Sequence, residues 1–328
     1  MQQDPSHYDG VGYPENGAAR TRWIVSHRGP KRVHNPLRPY ACFVEEEIDS
    51  GGTLQPTATL FLTNRECRYR CLMCDLWQDT LDDTTPDGVI PAQISHALAE
   101  LSPAAQIKLY NAGSFFDPLS IPRADYPEIA RLVEPFSRVI VECHPALIGE
   151  SCIDFSHSIN GKLEVAIGLE TVHPGALDRL NKRFTLDDFR RSAEYLRNAD
   201  IDLRVFLLLR PPYLSEEEGI EWAIRSLEFA FDSGATACAV IPVREGNGAM
   251  EALRQVGDWA PPKLRSLELV QEIGIGMQRG RVFADLWNIE KAIDCPCDLD
   301  RILRMDSMNR TQKIMPPVLC SHCTPAVR

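Results

Sequence analysis

At 328 residues, 44% hydrophobic and 25% charged, the chain has the apolar content for a sizeable core, which excludes bulk disorder. Its formal net charge of -11 weighs against a protein that holds nucleic acid by bulk electrostatics. The N-terminus lacks the basic and apolar regions of a secretion signal, and the longest aliphatic run, Val205 to Leu209, is far too short to span a bilayer, so a cytoplasmic protein without membrane association is expected. Eleven cysteines in such a chain favour metal ligation over disulfides.

Residues 1–20, rich in Asp, Pro, Gly and Asn, read as a flexible leader. Residues 21–56 read as an N-terminal extension with a basic segment. No acidic residue occurs between Gly17 and Val44, while Arg20, Arg22, Arg28, Lys31, Arg32 and Arg38 are all basic. Such a segment either contacts phosphates or forms a solvated arm. Ala41–Ile48 and Thr57–Leu62 predict two strands joined by a turn at Asp49–Gly52.

Directly after the second strand come Cys67, Cys71 and Cys74, a C-x3-C-x2-C loop. Three close ligands grip a metal centre from one side and leave the other open, whereas a fourth would close it. A zinc knuckle completed by a distant residue and three buried cysteines are the competing readings. Asn64, Arg65, Glu66, Arg68, Tyr69 and Arg70 interleave the thiols without apolar periodicity, which argues against burial.

Further strands are predicted at Ile107–Tyr110, Val139–Glu142, Leu163–Glu170, Leu203–Leu209 and Ala237–Pro242. Between them lie helices such as Leu186–Arg197, with Thr185 as N-cap, and Ser215–Phe231, which opens on acids. This alternation predicts an α/β fold, a parallel sheet covered by helices, with chemistry at the carboxyl ends of the strands. Candidate site residues follow those ends. Ala112, Gly113 and Ser114 let backbone approach a ligand. Glu142 and Glu170 end strands with carboxylates, and core packing does not explain the second. Arg204 and Arg210 bracket one strand, which Pro211 and Pro212 stop. Lys182 is a further cation, and Arg244 and Asn247 lie in a Gly-rich loop after the last predicted strand. For several of these a plain turn, a surface acid or a strand-end arginine is the bland alternative.

Near the C-terminus, the pair Cys295 and Cys297 is separated by 22 intervening residues from the pair Cys320 and Cys323, the sequence form of a four-ligand site for zinc or an auxiliary cluster. His322 is the alternative ligand. Closing this site would fasten residues 286–328, a cysteine-rich extension, and present Arg301, Arg304 and Asn309 to a substrate.

A C-x3-C-x2-C loop after a first strand is the signature of radical S-adenosylmethionine (SAM) enzymes, and the chain resembles that superfamily. The resemblance implies a [4Fe-4S] cluster on Cys67, Cys71 and Cys74 whose remaining iron chelates SAM, inside a partial (βα)6 TIM-like barrel over residues 57–285. It further implies that Ala112, Gly113 and Ser114 meet the methionyl amino group and that Glu142 meets the ribose. Glu170 becomes a SAM or substrate contact. Arg204 and Arg210 become partners for a carboxylate or phosphate, and the arginines of the cysteine loop favour the reduced cluster or the SAM carboxylate, with solvated loop charge as the bland alternative. Lys182, Arg210, Arg244 and Asn247 are the catalytic candidates. The motifs Asn111–Asp117, Val141–Pro145, Ile167–Thr171, Asn181–Thr185 and Leu207–Pro212, with the terminal cysteines, resemble the elongator-type branch and within it the radical SAM subunit of archaeosine synthase. That implies hydrogen abstraction and carbon-nitrogen cleavage, a lyase or transferase step, on a lysine-bearing deazaguanine in tRNA, with an electron donor and a partner transferase subunit. A radical tailoring step on a small metabolite or peptide, and a non-catalytic protein that stores or senses iron, are the alternatives.

Overall fold

A computed structural model of the chain describes residues 12–320 and 322–323. The leader expected over residues 1–11 lies outside the described residues. Eight strands form one sheet in chain order: β1 (Ala41–Ile48), β2 (Leu54–Leu62), β3 (Gln106–Asn111), β4 (Arg138–Glu142), β5 (Lys162–Glu170), β6 (Asp202–Leu209), β7 (Ala237–Pro242) and β8 (Arg281–Ala284). β1 runs antiparallel to β2, and every later pair is parallel. The Asp49 carboxylate accepts from the backbone N–H groups of Gly51 and Thr53 and so closes the β1–β2 turn. Helices cover the outer face, and the curled sheet is the half-barrel expected for the radical SAM type. Thr185 and Ser215 cap the helices Leu186–Asn198 and Glu216–Asp232 with reciprocal capping boxes. Among the described residues, no helix is long and apolar enough to cross a membrane.

β8 is a seventh parallel strand where six were expected. Its four residues are too few for a period-two signal.

The two faces of the sheet differ in chemistry. Toward the helices, Leu60, Leu109, Val141, Val165, Val205 and Val240 are fully buried, the continuous apolar layer that parallel strands require. Toward the lumen, the amino end is plugged by paired charges. Arg204 bridges Glu47 and Glu164, Lys108 pairs with Glu47, and Arg138 and Arg281 reach Glu164 at 2.8 and 3.1 Å. Burial alone would raise the Glu47 carboxyl, but Arg204 and Lys108 outweigh it and hold it well below the usual range. Arg204 is therefore not a cofactor contact. It pairs in register with Ala166 and Ala237, near the start of β6 and away from the strand ends that carry the site.

Side chains close the seam between the edge strands. Phe43 of β1 stacks on Trp287, just beyond β8, at 5.4 Å and 18°. Arg281 donates to the Ile48 carbonyl at 3.1 Å, and Arg310 pairs with Glu46.

The N-terminal segment departs from expectation in two ways. Residues 17–20, read as leader, begin the helix Gly17–Ser26, capped by Asn16. Its Trp23 and Ile24 pack with Leu72, Leu180, Leu208 and Trp259. The basic segment is largely consumed inside the chain: Arg20 pairs with Asp178 at 2.9 Å, Arg28 and Lys31 with Glu66 at 2.7 and 3.0 Å, and Arg32 with Asp79 at 2.9 Å. These four cations serve the fold rather than a phosphate surface.

Candidate active site

The loop Cys67–Cys74 leaves the carboxyl end of β2 and is fixed from several directions. Leu72 is fully buried and donates its N–H to the Leu180 carbonyl at 3.0 Å. The Asn181 side chain donates to the Arg70 carbonyl at 2.7 Å, and Asn247 donates to the Leu72 and Cys74 carbonyls at 2.8 and 3.3 Å. Asn247, expected to meet substrate, is thus a positioning residue for the thiol loop. Arg68 and Arg70 are also engaged, by Asp117 at 2.8 and 3.0 Å and by Glu66 at 3.1 Å.

Among the described residues, the side chains whose ligand atoms converge within 4.8 Å as a candidate metal group are Cys295, Cys297, Cys320 and Cys323. The three loop thiols do not meet that condition. Burial raises the Cys67 thiol and the Cys71 thiol and pushes Cys74 up to about 12. Loading of a centre must therefore release protons.

Gly113 explains how backbone meets this loop. With φ of 130° it lies against Cys67, where an added Cβ would come within 3.3 Å of the cysteine Cβ. Ala112 accepts from the Asn64 side chain, and the Ser114 hydroxyl accepts from the His144 N–H at 2.9 Å. Of the three, Gly113 is the one that lies against a thiol residue.

The next strand ends bring a charged set over the lumen. A register shift between Gly168 and Glu170, with Glu170 at φ of 67°, turns this carboxylate onto Lys182. A Cβ on Gly168 would overlap both partners. Burial alone would lower the Lys182 ammonium, but Glu170 and the Cys71 thiol reverse the shift and raise it. Glu142 is raised to about 8 by burial, opposed by Lys182 and reinforced by the like charge of Glu170. A carboxyl raised in this way can keep its proton and donate a hydrogen bond.

His144 is a residue the sequence reading missed. Its Nδ1 faces the Ala146 N–H at 3.1 Å and its Nε2 the Lys182 carbonyl at 2.9 Å, contacts that fix a neutral ring with the proton on Nε2. Burial and Lys182 lower its pKa to about 4. The ring stacks on Tyr69 at 3.8 Å and 15°, coupling the β4 end to the thiol loop. Its position between a strand-end acid and Pro145 was the available signal.

Two expected site cations point elsewhere. Arg210 folds back onto Glu216 at 2.7 Å and the Pro261 carbonyl at 3.0 Å, against Gly219. Arg244 pairs with Asp285 at 2.7 Å on the rim.

No family model matches the sequence. Over 228 residues the chain is 30% identical to the archaeosine synthase subunit beta of Methanosarcina acetivorans, a match covering 66% of this chain and 66% of that protein, just under two thirds of its length. The chain is a radical SAM protein of the elongator type. It is also 29% identical over 166 residues to the archaeosine synthase subunit beta of Thermococcus kodakarensis, covering 49% of this chain and 51% of that one. The crystal structure of methylornithine synthase superimposes with a TM-score of 0.50 at 11% identity, over 82% of this chain and 68% of that chain, a likeness of fold.

The radical SAM protein carries a second thiol group beyond its barrel. Cys295 lies 3.7 Å from Cys320 and 3.0 Å from Cys323, and Cys297 lies 3.4 Å from Cys295 and 3.3 Å from Cys323, sulfur to sulfur. These four can hold a metal ion. His322 is not one of the ligands; its backbone N–H donates to the Cys320 sulfur at 3.3 Å. Asp298 accepts from the Asp294 and Cys295 N–H groups and fixes the first pair. Arg301 and Arg304 do not face a substrate, because both are buried on Glu268. Asn309 is likewise occupied, accepting from Gln271 and the Ala284 N–H.

Proposed function

We propose that this radical SAM protein modifies a (deaza)guanine-type nucleoside of tRNA by cleavage of a carbon-nitrogen bond, working in the cytoplasm beside a partner transferase subunit and an electron donor. The observation that carries the reading is the loop that offers three free thiols, Cys67, Cys71 and Cys74, at the rim beside Glu142, Glu170 and Lys182. A [4Fe-4S] cluster on Cys67, Cys71 and Cys74 with SAM supplies a hydrogen-abstracting 5'-deoxyadenosyl radical when bound. The chain's own part is to hold and orient. Gly113 and its neighbours leave room for the methionyl amino group, the protonated Glu142 donates to a ribose hydroxyl, and the Glu170–Lys182 pair borders the reacting centre. The substrate class is supported by the two archaeal relatives, whose names specify a subunit of archaeosine synthase.

The test is anaerobic reconstitution and reduction, followed by product analysis without and with total tRNA. Methionine and 5'-deoxyadenosine are expected, with a modified tRNA base and RNA affinity that falls steeply with salt. Absence of 5'-deoxyadenosine contradicts the chemistry, and flat, negligible RNA binding at low salt contradicts the tRNA substrate.

For the terminal thiols we propose zinc in a structural role. Tetrahedral zinc-thiolate bonds of about 2.3 Å separate sulfurs by about 3.8 Å, so the thiols, now 3.0 to 3.7 Å apart, need only spread slightly around an ion. Chelation is expected to expose residues 290–328 to protease before the barrel opens; unchanged proteolysis of that tail contradicts the structural role.

A further inference from the structure

Parallel barrels ordinarily fill their interior with interlocking side chains, and the amino end of this one is filled by the ionic plug. Tyr110 of β3 and Phe206 of β6 meet edge to face at 6.0 Å. Strands β4 and β5 separate β3 from β6 in the sheet, so this contact runs across the lumen and roofs the ionic plug. At and above this contact Phe61, Tyr110, Phe206 and Ile241 are only half-buried on their inward faces, as is Phe43, which is level with Lys108 through its register with Thr59, whereas the outward Leu60, Leu109, Val205 and Val240 are fully buried. The partly exposed inward faces line a solvent-accessible part of the lumen, a chamber on the carboxyl side of the ionic plug.

The chamber wall is aromatic. The Phe61 ring lies 5.5 Å from Tyr40, 6.2 Å from Phe43, 5.9 Å from Tyr110 and 5.7 Å from Trp287. Trp287 stacks on Phe43 across the β1–β8 seam yet remains 48% exposed, an unusual state for so large an apolar ring beside a cavity. Its backbone N–H donates to Asp285 at 3.0 Å, and Asn288 follows in the left-handed region at φ of 52°. The floor offers no free cation for a phosphate, since Lys108, Arg204 and Arg281 are paired with Glu47 and Glu164.

We propose that this wall is the subsite for the planar heterocyclic ring of the substrate, with Trp287 as its stacking clamp at the seam. A planar ring suits this wall because π-faces reward stacking, whereas a sugar offers no such face and a phosphate meets floor cations that are already paired. A base must then leave its own stack to enter, while its backbone stays at the rim. The inference deepens the nucleoside reading of the reaction, but binding can be measured without turnover.

The experiment measures equilibrium binding of guanosine and of methyl ribofuranoside to the reconstituted full chain. Guanosine is expected to bind and quench tryptophan emission, and the sugar is not. Trp287→Ala should weaken guanosine binding by about fivefold to a hundredfold, the range for loss of one aromatic stacking partner. Trp287→Phe, which keeps a π-face, should stay near wild type, whereas Trp287→Leu, which keeps apolar bulk alone, should lose as Ala does. Wild-type affinity in the Ala or Leu variant, loss in the Phe variant, equal binding of sugar and guanosine, or no guanosine binding at all overturns the subsite. Formation of 5'-deoxyadenosine by the wild-type chain is scored separately. Its failure with guanosine binding intact would sink the reaction and leave the subsite standing.

Discussion

Single replacement of Cys67, Cys71 or Cys74 by Ala is expected to eliminate 5'-deoxyadenosine formation and the iron of the loop together, leaving a folded chain. The fold should survive because the loop is held by residues other than the thiols: Leu72 in the second apolar cluster, and the Asn181 and Asn247 side chains on its carbonyls. Removing one of three ligands from a cluster already short of a fourth leaves too few bonds to retain it. Cys295→Ala should behave oppositely, keeping the loop iron while freeing the tail, because the two thiol groups belong to different elements. Iron content, turnover and limited proteolysis of the same preparations separate the cases. Retained turnover in any loop variant would contradict the assignment.

Arg204→Met should destabilise the barrel by about 3 to 5 kcal/mol, the range for stripping one partner from a buried ion pair. Both Glu47 and Glu164 lose a guanidinium at once, and each is nearly or fully buried. Denaturant unfolding measures the change, and adding Glu47→Gln should recover part of it by removing one of the two buried carboxylates that lost the guanidinium, Lys108 keeping its pairing with Glu45. SAM affinity of the folded fraction should not move. A loss of SAM affinity with unchanged stability would return Arg204 to the cofactor site.

Much of the fold was legible because parallel strands and amphipathic helices leave opposite periodicities. β1 and β7 carry their predicted bounds, and Thr185 and Ser215 announce their helices by capping chemistry. What escaped was partnership. Arg204 and Arg210 look alike at the two ends of one strand, yet one is consumed by carboxylates from β1 and β5 and the other by the helix that follows. The spacing of the basic segment likewise hides that Glu66 and Asp79 wait across the fold for Arg28, Lys31 and Arg32. His144 and Trp287 were missed for a related reason. Their importance comes from stacking on Tyr69 and Phe43, residues distant in sequence, and no local pattern encodes such a pair.

The most direct measurement is electron paramagnetic resonance of the reduced, anaerobically reconstituted chain before and after SAM, with iron and zinc assigned to each thiol group by Cys67→Ala and Cys295→Ala. A [4Fe-4S] signal that depends on Cys67 and shifts on adding SAM is the predicted result. Stoichiometric zinc on Cys67, Cys71 and Cys74, with no iron and no response to SAM, would contradict the account.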